Sequence, residues 1–290
     1  MKYFLKFILW ILLVAVVCLG AYAGVFMVRF HKAEPCKESF KLASLNCFGF
    51  KRMQSAEASA GLIRYTAETK GVDILCLQEV HTYAEFQQPA LKKIFSSLYP
   101  YMIINDGEAI FSKYPLRQLY RKTFDSGGNE FSINEVNVKG KPITIVNCHL
   151  QSTGISSIRN RKSVSGAMAM GSTLGSSASA RANQALEIRK YVDSAITEGS
   201  EVIIAGDFNT MPGTKTYRIL KDNLEDSFME AGYGWGATYK EGLPGILRID
   251  HILHSQGLKC VSCQVLSEDM SDHKAVMAKF SLDEKVNPEQ

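Results

Sequence analysis

Five short polar segments interrupt apolar runs along this chain: Leu45-Asn46, Gln78-Glu79, Asn147-Cys148-His149-Leu150, Gly206-Asp207-Phe208-Asn209 and Ser271-Asp272-His273. In three of them an apolar run leads directly to Glu79, His149 or Asp207, so an acid or an imidazole is offered where a strand ends. Asp207 and Asn209, two residues apart, face one site if the chain stays extended. Carboxylates, amides and imidazoles gathered in one place suit hydrolysis of a phosphate ester. That reaction needs charge on the nonbridging oxygens neutralised, a water deprotonated and the leaving oxygen stabilised. A hard cation helps, and magnesium takes carboxylate, amide and water oxygens. Taken singly, each segment also fits a plain structural role: a capping carboxylate, an Asx turn, a buried histidine. The five together, in this order, point to one site.

The set resembles the endonuclease/exonuclease/phosphatase superfamily, metal-dependent phosphoesterases that include deoxyribonuclease-I-like nucleases, abasic-site endonucleases, sphingomyelinases and inositol-phosphate phosphatases. The resemblance covers roughly residues 40–282. It implies an α/β fold, a four-layer sandwich of two packed mixed β-sheets flanked by helices. It also implies Glu79 as principal ligand of Mg2+, with Mn2+ as an alternative, Asn46 beside it and Asp272 completing the site. Asp207 then activates or positions the attacking water and Asn209 contacts the phosphoryl oxygens. His149 and His273 lie on either side of the phosphate, and Asp250 holds His273 in the required tautomer. The segment Ala109-Ile110-Phe111-Ser112-Lys113-Tyr114-Pro115 resembles the family's strand and turn beside the active site, which brings Ser112 or Tyr114 near substrate; Arg159 and Arg248 are further substrate-proximal candidates. His251 stands where the family often has an aromatic residue. With His81 and His254 it is read as structural, because a lone histidine beside an apolar run is usually a satisfied core group.

The elements that must hold these residues follow from periodicity. Residues 40–45 predict the first strand of the domain. Ala60, Ile63 and Ala67 fall at helical spacing within 56–70, and Gly71 closes that helix before the apolar run that ends on Gln78-Glu79. A second such unit places Ala185, Ile188, Val192 and Ile196 on one helical face within 181–197, followed by a strand over 202–205. Residues 131–138 and 143–150 flank Lys139-Gly140-Lys141-Pro142 as an antiparallel hairpin, so the sheets are mixed. Residues 246–253 and 275–282 predict further strands. The stretch 152–180 is rich in Ser, Gly and Ala without a clear period and predicts a loop, either a binding element or a solvated insertion.

Asn46 and His273 have to meet, which makes 40–282 one domain, and 46% hydrophobic with 21% charged residues is ordinary globular composition. The net charge is +4, and +2 once Lys2 and Lys6 are set aside. That is no basic stripe of a dedicated duplex binder, so charge leaves the substrate open. Residues 7–28 carry no charge and are long enough to cross a bilayer of about 30 Å as a helix. Residues 1–32 are therefore expected to form a single-pass membrane anchor, with the domain outside the cytoplasm, 33–39 a linker and 283–290 a polar tail. Ala21-Tyr22-Ala23 also fits a signal-peptidase site, which leaves a secreted product open. Of seven cysteines, Cys76 and Cys148 lie in apolar runs as small buried hydrophobes. Cys260 and Cys263 form a lone C-x-x-C without a second pair, which disfavours zinc, and their odd spacing in a strand predicts opposite faces.

These readings lead to a membrane-tethered phosphoesterase that cuts a phosphodiester, with a nuclease ranked first. A phospholipid or inositol-phosphate head group is the alternative substrate, since anchoring raises the local concentration of lipids. A binding module that has lost its chemistry is a different class. The joint presence of Glu79, His149, Asp207, Asn209, Asp250, Asp272 and His273 argues against it. The sequence carries no indication of oligomeric state.

Overall fold

A strand that alternates two apolar columns needs cover on both faces. The computed structural model, which describes residues 2–81, 86, 88–124, 129–153, 164–241 and 245–283, meets that need with four layers. The chain opens with α1 (Lys2–Phe26) and the short β1 (Val28–Phe30). It continues through β2 (Ser39–Asn46), α2 (Ala56–Lys70), β3 (Ile74–Val80), α3 (Gln88–Phe95), β4 (Tyr101–Ile104), β5 (Gly107–Ser112) and β6 (Leu116–Thr123). Then come β7 (Glu130–Val138), β8 (Lys141–His149), α4 (Val164–Thr197), β9 (Glu201–Asp207), α5 (Lys215–Lys221) and β10 (Glu225–Asp226). The last elements are α6 (Ser227–Ala231), β11 (Tyr233–Trp235), β12 (Asp250–His254), β13 (Lys259–Val265) and β14 (Val276–Ser281).

Two six-stranded sheets result, ordered β10-β12-β9-β8-β7-β6 and β13-β14-β2-β3-β5-β4. Within them only β2–β3 and β8–β9 pair parallel. These are the pairs joined by α2 and α4, as a parallel crossover requires. Ser55 starts α2 by accepting the Ala58 N–H, and Gly71 at φ 67° ends it in the left-handed conformation. Ala60, Ile63 and Ala67 of α2 and Leu91 and Phe95 of α3 cover Leu45, Leu75, Leu77 and Phe111 on one outer face. Ala185, Ile188 and Val192 of α4 and Tyr217 and Leu220 of α5 cover Val146, Cys148, Val202 and Ile204 on the other.

The layer between the sheets positions the site. Its far end is apolar, with Phe40, Leu42, Ile74, Cys76, Ile110, Ile143, Ile145, Ile203, Ala205 and Ile252. Followed at period two toward the other end, the same inward columns become polar. Ser44 and Asn46 follow Leu42, Gln78 follows Cys76, Asn147 and His149 follow Ile145, and Asp207 follows Ala205, all of them buried. Gln78 Nε2 donates to Asn147 Oδ1 at 2.7 Å and to Ser44 Oγ at 3.1 Å, while Asn147 Nδ2 donates to the carbonyls of Leu77 (3.1 Å) and Ala109 (3.2 Å). This buried amide bridge ties one sheet to the other beneath the site and fixes their spacing.

Four expectations are corrected. The loop expected over 152–180 is helical from Val164 onward, because α4 extends N-terminally from the periodic part. Alanine favours a helix even where Ser and Gly erase the apolar period. Residues 154–163 lie outside the described residues. The stretch expected as a linker is bound along the domain: His31 N donates to Gly232 O, Glu34 N to Val261 O, and Lys37 N and Glu38 N to the Asp283 carboxylate. Of the expected tail only Asp283 is described. The strand expected from residue 246 starts at Asp250. Cys260 and Cys263 both enter the inter-sheet core, because a register shift between Cys260 and Ser262 resets the alternation.

Candidate active site

Two backbone irregularities aim the acids. In β3 the register with β5 shifts between Gln78 and Val80, and Glu79 sits at φ 54°. This bulge lets Gln78 point inward and Val80 outward into the helix-covered core while Glu79 turns onto the rim. A non-glycine residue at positive φ costs on the order of 1–2 kcal/mol, which the flanking ladder over-determines. In β9, Gly206 lies so close to β8 that a Cβ there would stand 1.9 Å from the Cys148 carbonyl oxygen. A side chain at that position would push Asp207 away from His149, its neighbour in the parallel register.

The Asp207 carboxylate is the meeting point. Its Oδ2 lies 3.1 Å from Asn46 Nδ2, 3.2 Å from Asn209 Nδ2, 3.7 Å from His149 Nε2 and 3.8 Å from His273 Nε2, and its Oδ1 accepts the Asn209 N–H at 2.8 Å. The chain does not stay extended after Asp207. Asn209 is at φ 49° in an Asx turn, and Phe208 between them is fully buried. Both side chains face the site through that turn. Asn209 Nδ2 also donates to Leu150 O at 2.9 Å. Asn46 links the two acids, with Nδ2 2.9 Å from Glu79 Oε1, while its Oδ1 accepts the Phe48 N–H. His149 Nε2 is 3.7 Å from Glu79 Oε1.

Asp250 lies directly opposite Asp207 across the β12–β9 pair, and both are 1% exposed. Two like charges in that position are unfavourable unless a cation intervenes. His273 supplies it. Its Nδ1 is 2.9 Å from Asp250 Oδ2, and its Nε2 faces Asp207. Burial opposes charge on the ring, but Asp250 and Asp207 overcome this and lift His273 to about 10. Burial, then the Asp250 charge, pushes Asp207 up from the usual carboxylate range. Asp272, 8% exposed, accepts from Ser271 Oγ at 3.0 Å, and burial raises its pKa. Glu79, Asp207, Asp250 and Asp272 thus set four carboxylates against two imidazoles. That excess of hard, anionic oxygens fits a divalent cation. Ligand atoms of Asp207, Asp250 and His273 lie within 4.8 Å of one another.

The sequence model of the endonuclease/exonuclease/phosphatase family matches residues 43–273, which takes in all five polar segments. The chain belongs to that family. Solved structures agree on the fold. Truncated TDP2 from Caenorhabditis elegans is 20% identical with a TM-score of 0.62, over 84% of this chain and 97% of that one. SmcL is 19% identical at 0.58, over 84% and 99%. A family member from Bacteroides thetaiotaomicron is 18% identical at 0.61, over 85% and 98%. No curated protein sequence matches the chain.

Within the family fold, three expected substrate neighbours fall elsewhere. Ser112 pairs with Ile74, five residues before Glu79 and about 17 Å back along β3, and its Oγ accepts the Tyr114 N–H. The reason is strand direction: β5 runs antiparallel to β3, so its C-terminal end, with Tyr114 beyond it, leaves the rim. Arg248 is 1% exposed, and its guanidinium grips Asp226 in a two-point pair, Nη1–Oδ1 3.1 Å and Nη2–Oδ2 2.9 Å, over the Phe228 ring. Arg159 lies outside the described residues. His251 is fully buried, with Nε2 2.9 Å from Thr210 O, and burial together with Arg248 lowers it to about 4.

Several site neighbours lie outside the five polar segments. The Tyr239 ring lies 4.8 Å from that of His273, and Thr238 Oγ1 accepts the Asp250 N–H. Arg181 of α4 donates to Gln151 O at 3.0 Å and is close enough for Asp207 to act on it electrostatically. Glu108, opposite Gln78, and Glu130, opposite His149, are each 1% exposed, and Arg121 holds Glu130. Buried acids in a strand contradict the usual polar-out pattern, which is the one clue the sequence offers. Burial pushes Glu108 up to about 8 and, against the pull of Arg121, Glu130 up to about 7. A carboxyl whose folded pKa exceeds its unfolded value binds its proton more tightly in the folded chain, so stability falls as pH rises from about 4.5 through about 8. Glu108→Gln removes that loss. Its melting temperature should exceed wild type by several degrees near pH 9, at roughly 2–4 °C per kcal/mol, and converge with it near pH 5. Parallel melting curves across that range check this.

Proposed function

We propose that the chain is a divalent-metal-dependent phosphodiester hydrolase that α1 anchors to a membrane, with its catalytic domain outside the cytoplasm. The convergence of four donors on one oxygen of a buried carboxylate, Asp207, carries this reading. Glu79, with Asn46 and Asp272, would hold the cation, Mg2+ or Mn2+, which neutralises phosphate charge when bound. The chain's own groups then have distinct tasks. Asp207, its pKa raised by burial, takes a proton from the attacking water as the water oxygen bonds to phosphorus. Asn209 and His149 donate to the nonbridging oxygens. His273, kept protonated by Asp250, gives its Nε2 proton to the leaving oxygen as the P–O bond breaks. The products are a phosphomonoester and an alcohol.

α1 is apolar, 25 residues long and exposed from Tyr3 through Ala21, which suits a membrane anchor and also a signal sequence. The anchor reading gains support from the contacts that bind its end to the domain, described below. Hydrolysis of a chromogenic diester by the full-length chain in detergent, with magnesium, manganese or chelator, tests the activity. Turnover should vanish with chelator and return with metal. Glu79→Gln should raise the metal concentration needed for half-maximal rate by at least about 10–100-fold, the loss that follows from removing even a supporting partner of a metal ligand. A rate indifferent to chelator would overturn the reading.

A further inference from the structure

The end of α1 is built into the catalytic domain. Tyr22 Oη donates to Pro212 O at 3.3 Å, the rings of Tyr22 and Phe26 lie 5.1 Å apart, and Phe26 packs beside Gly213. Met27 is 1% exposed, and its carbonyl accepts the Gly236 N–H at 2.7 Å. Arg29 turns back to cap the helix, donating to the carbonyls of Gly24 (3.3 Å), Val25 and Val28 (2.8 Å), and its Nε reaches Met229 O at 3.3 Å.

Both chain segments that receive α1 lead straight to the site. Pro212 is three residues beyond Asn209. Trp235 is four residues before Tyr239, which packs on His273. At no more than about 3.6 Å per residue, Asn209 lies within about 11 Å of Pro212 and Tyr239 within about 15 Å of Trp235.

Between them stands the two-stranded ribbon β1–β11. Its register pairs Val28 with Trp235 and Phe30 with Tyr233, so these four side chains share one face, while Arg29 on the other face points to α1 and Met229. The shared face is turned to solvent. Phe30 is 74% exposed, Tyr233 63% and Trp235 43%, and the Phe30 and Tyr233 rings pack edge-on at 6.1 Å. Helix length says what covers it. Twenty residues from Phe7 to Phe26 rise about 30 Å, the thickness of the hydrocarbon core. The core therefore ends at Phe26 and the ribbon falls at head-group depth, where Trp and Tyr prefer to lie. Lys32, exposed just beyond β1, places a cation beside lipid phosphates there.

We propose that the β1–β11 ribbon seats its Val28, Phe30, Tyr233 and Trp235 face in the interface of the bilayer that α1 crosses, holding the catalytic rim at the head-group surface so that a lipid-borne phosphodiester is the substrate. This rests on the anchored-hydrolase reading above. The bilayer surface presents lipid phosphodiesters to the rim at high local concentration, an advantage that a nucleic acid in solution does not share.

The chain holds two tryptophans, Trp10 in α1 and Trp235 in the ribbon, so fluorescence separates the two claims. Trp10→Phe and Trp235→Phe variants of the full chain are placed in phosphatidylcholine–phosphatidylglycerol vesicles whose acyl chains carry bromine near the head group or near the chain end. Trp235, alone in Trp10→Phe, should lose roughly half its emission to shallow bromine, less to deep bromine, and be shielded from iodide. Trp10, alone in Trp235→Phe, stands three residues, about 5 Å, inside the opposite boundary of the core and should be quenched by brominated lipid while shielded from iodide. Quenching of Trp10 without Trp235 overturns the seating and keeps the anchor; no quenching of Trp10 overturns both. Wild type in the same vesicles should release phospholipid head group faster than it cuts an oligonucleotide in solution. The reverse order, or cleavage of a soluble chromogenic diester with no lipid turnover, overturns the substrate class. Loss of all three activities overturns the hydrolase reading itself.

Discussion

Asp207→Asn is expected to lower kcat by roughly 10²–10⁴-fold with little change in KM, the range for removing a general base. The amide keeps the shape of the carboxylate, so Phe208 stays in the core and Asn209 keeps its bond to Leu150 O. What is lost is the oxygen that takes the water's proton and draws Asn46, Asn209, His149 and His273 to one point. Steady-state kinetics on a soluble diester, with circular dichroism to confirm folding, check the prediction. A folded variant within threefold of wild-type kcat would remove Asp207 from the chemistry.

His273→Gln is expected to cost about 10²–10³-fold in kcat, the scale of losing one preorganised donor to a developing oxyanion. It should also leave a signature in stability that a spectator would not. Asp207 and Asp250 face each other across the ladder, and His273 is the charge between them. Its pKa stands at about 10 against 6.5 unperturbed. The stabilisation from the imidazolium is therefore complete below about 6.5 and is lost as pH rises through about 10. The difference in melting temperature between wild type and variant, measured with chelator present, should be largest at and below neutral pH and shrink toward about pH 10. A constant difference would mean that His273 packs without carrying charge.

The two substitutions also separate catalysis from architecture. Asp207 and His273 stand at the polar end of the inter-sheet layer, above the Gln78–Asn147 bridge, and neither belongs to the apolar clusters. The bridge is the structural counterpart. It holds Glu79 of one sheet and His149 of the other at a set spacing, and the bulge at Glu79 and the turn at Asn209 finish the aim.

The sequence by itself determined where the polar groups emerge. Period-two burial is written along each strand, so Ile74, Cys76 and Gln78, or Ile203, Ala205 and Asp207, announce both an inward column and the residue that ends it. Gly71 closes α2 for the same reason, since a helix end is satisfied by its immediate neighbours. Tertiary structure decided the rest. Whether Ser112 or Glu108 lies at the rim depends on the direction of β5 against β3, and whether Arg248 meets substrate depends on Asp226, brought to it by β10 beside β12. A register shift of one residue moved Cys260 and Cys263 to the same face. The stretch before α4's periodic face gave no period because small residues leave little side chain to alternate, yet its backbone continues the helix. In each case the deciding contact joins elements whose arrangement local periodicity does not specify, so strand order and direction selected which of the visible polar groups share one site.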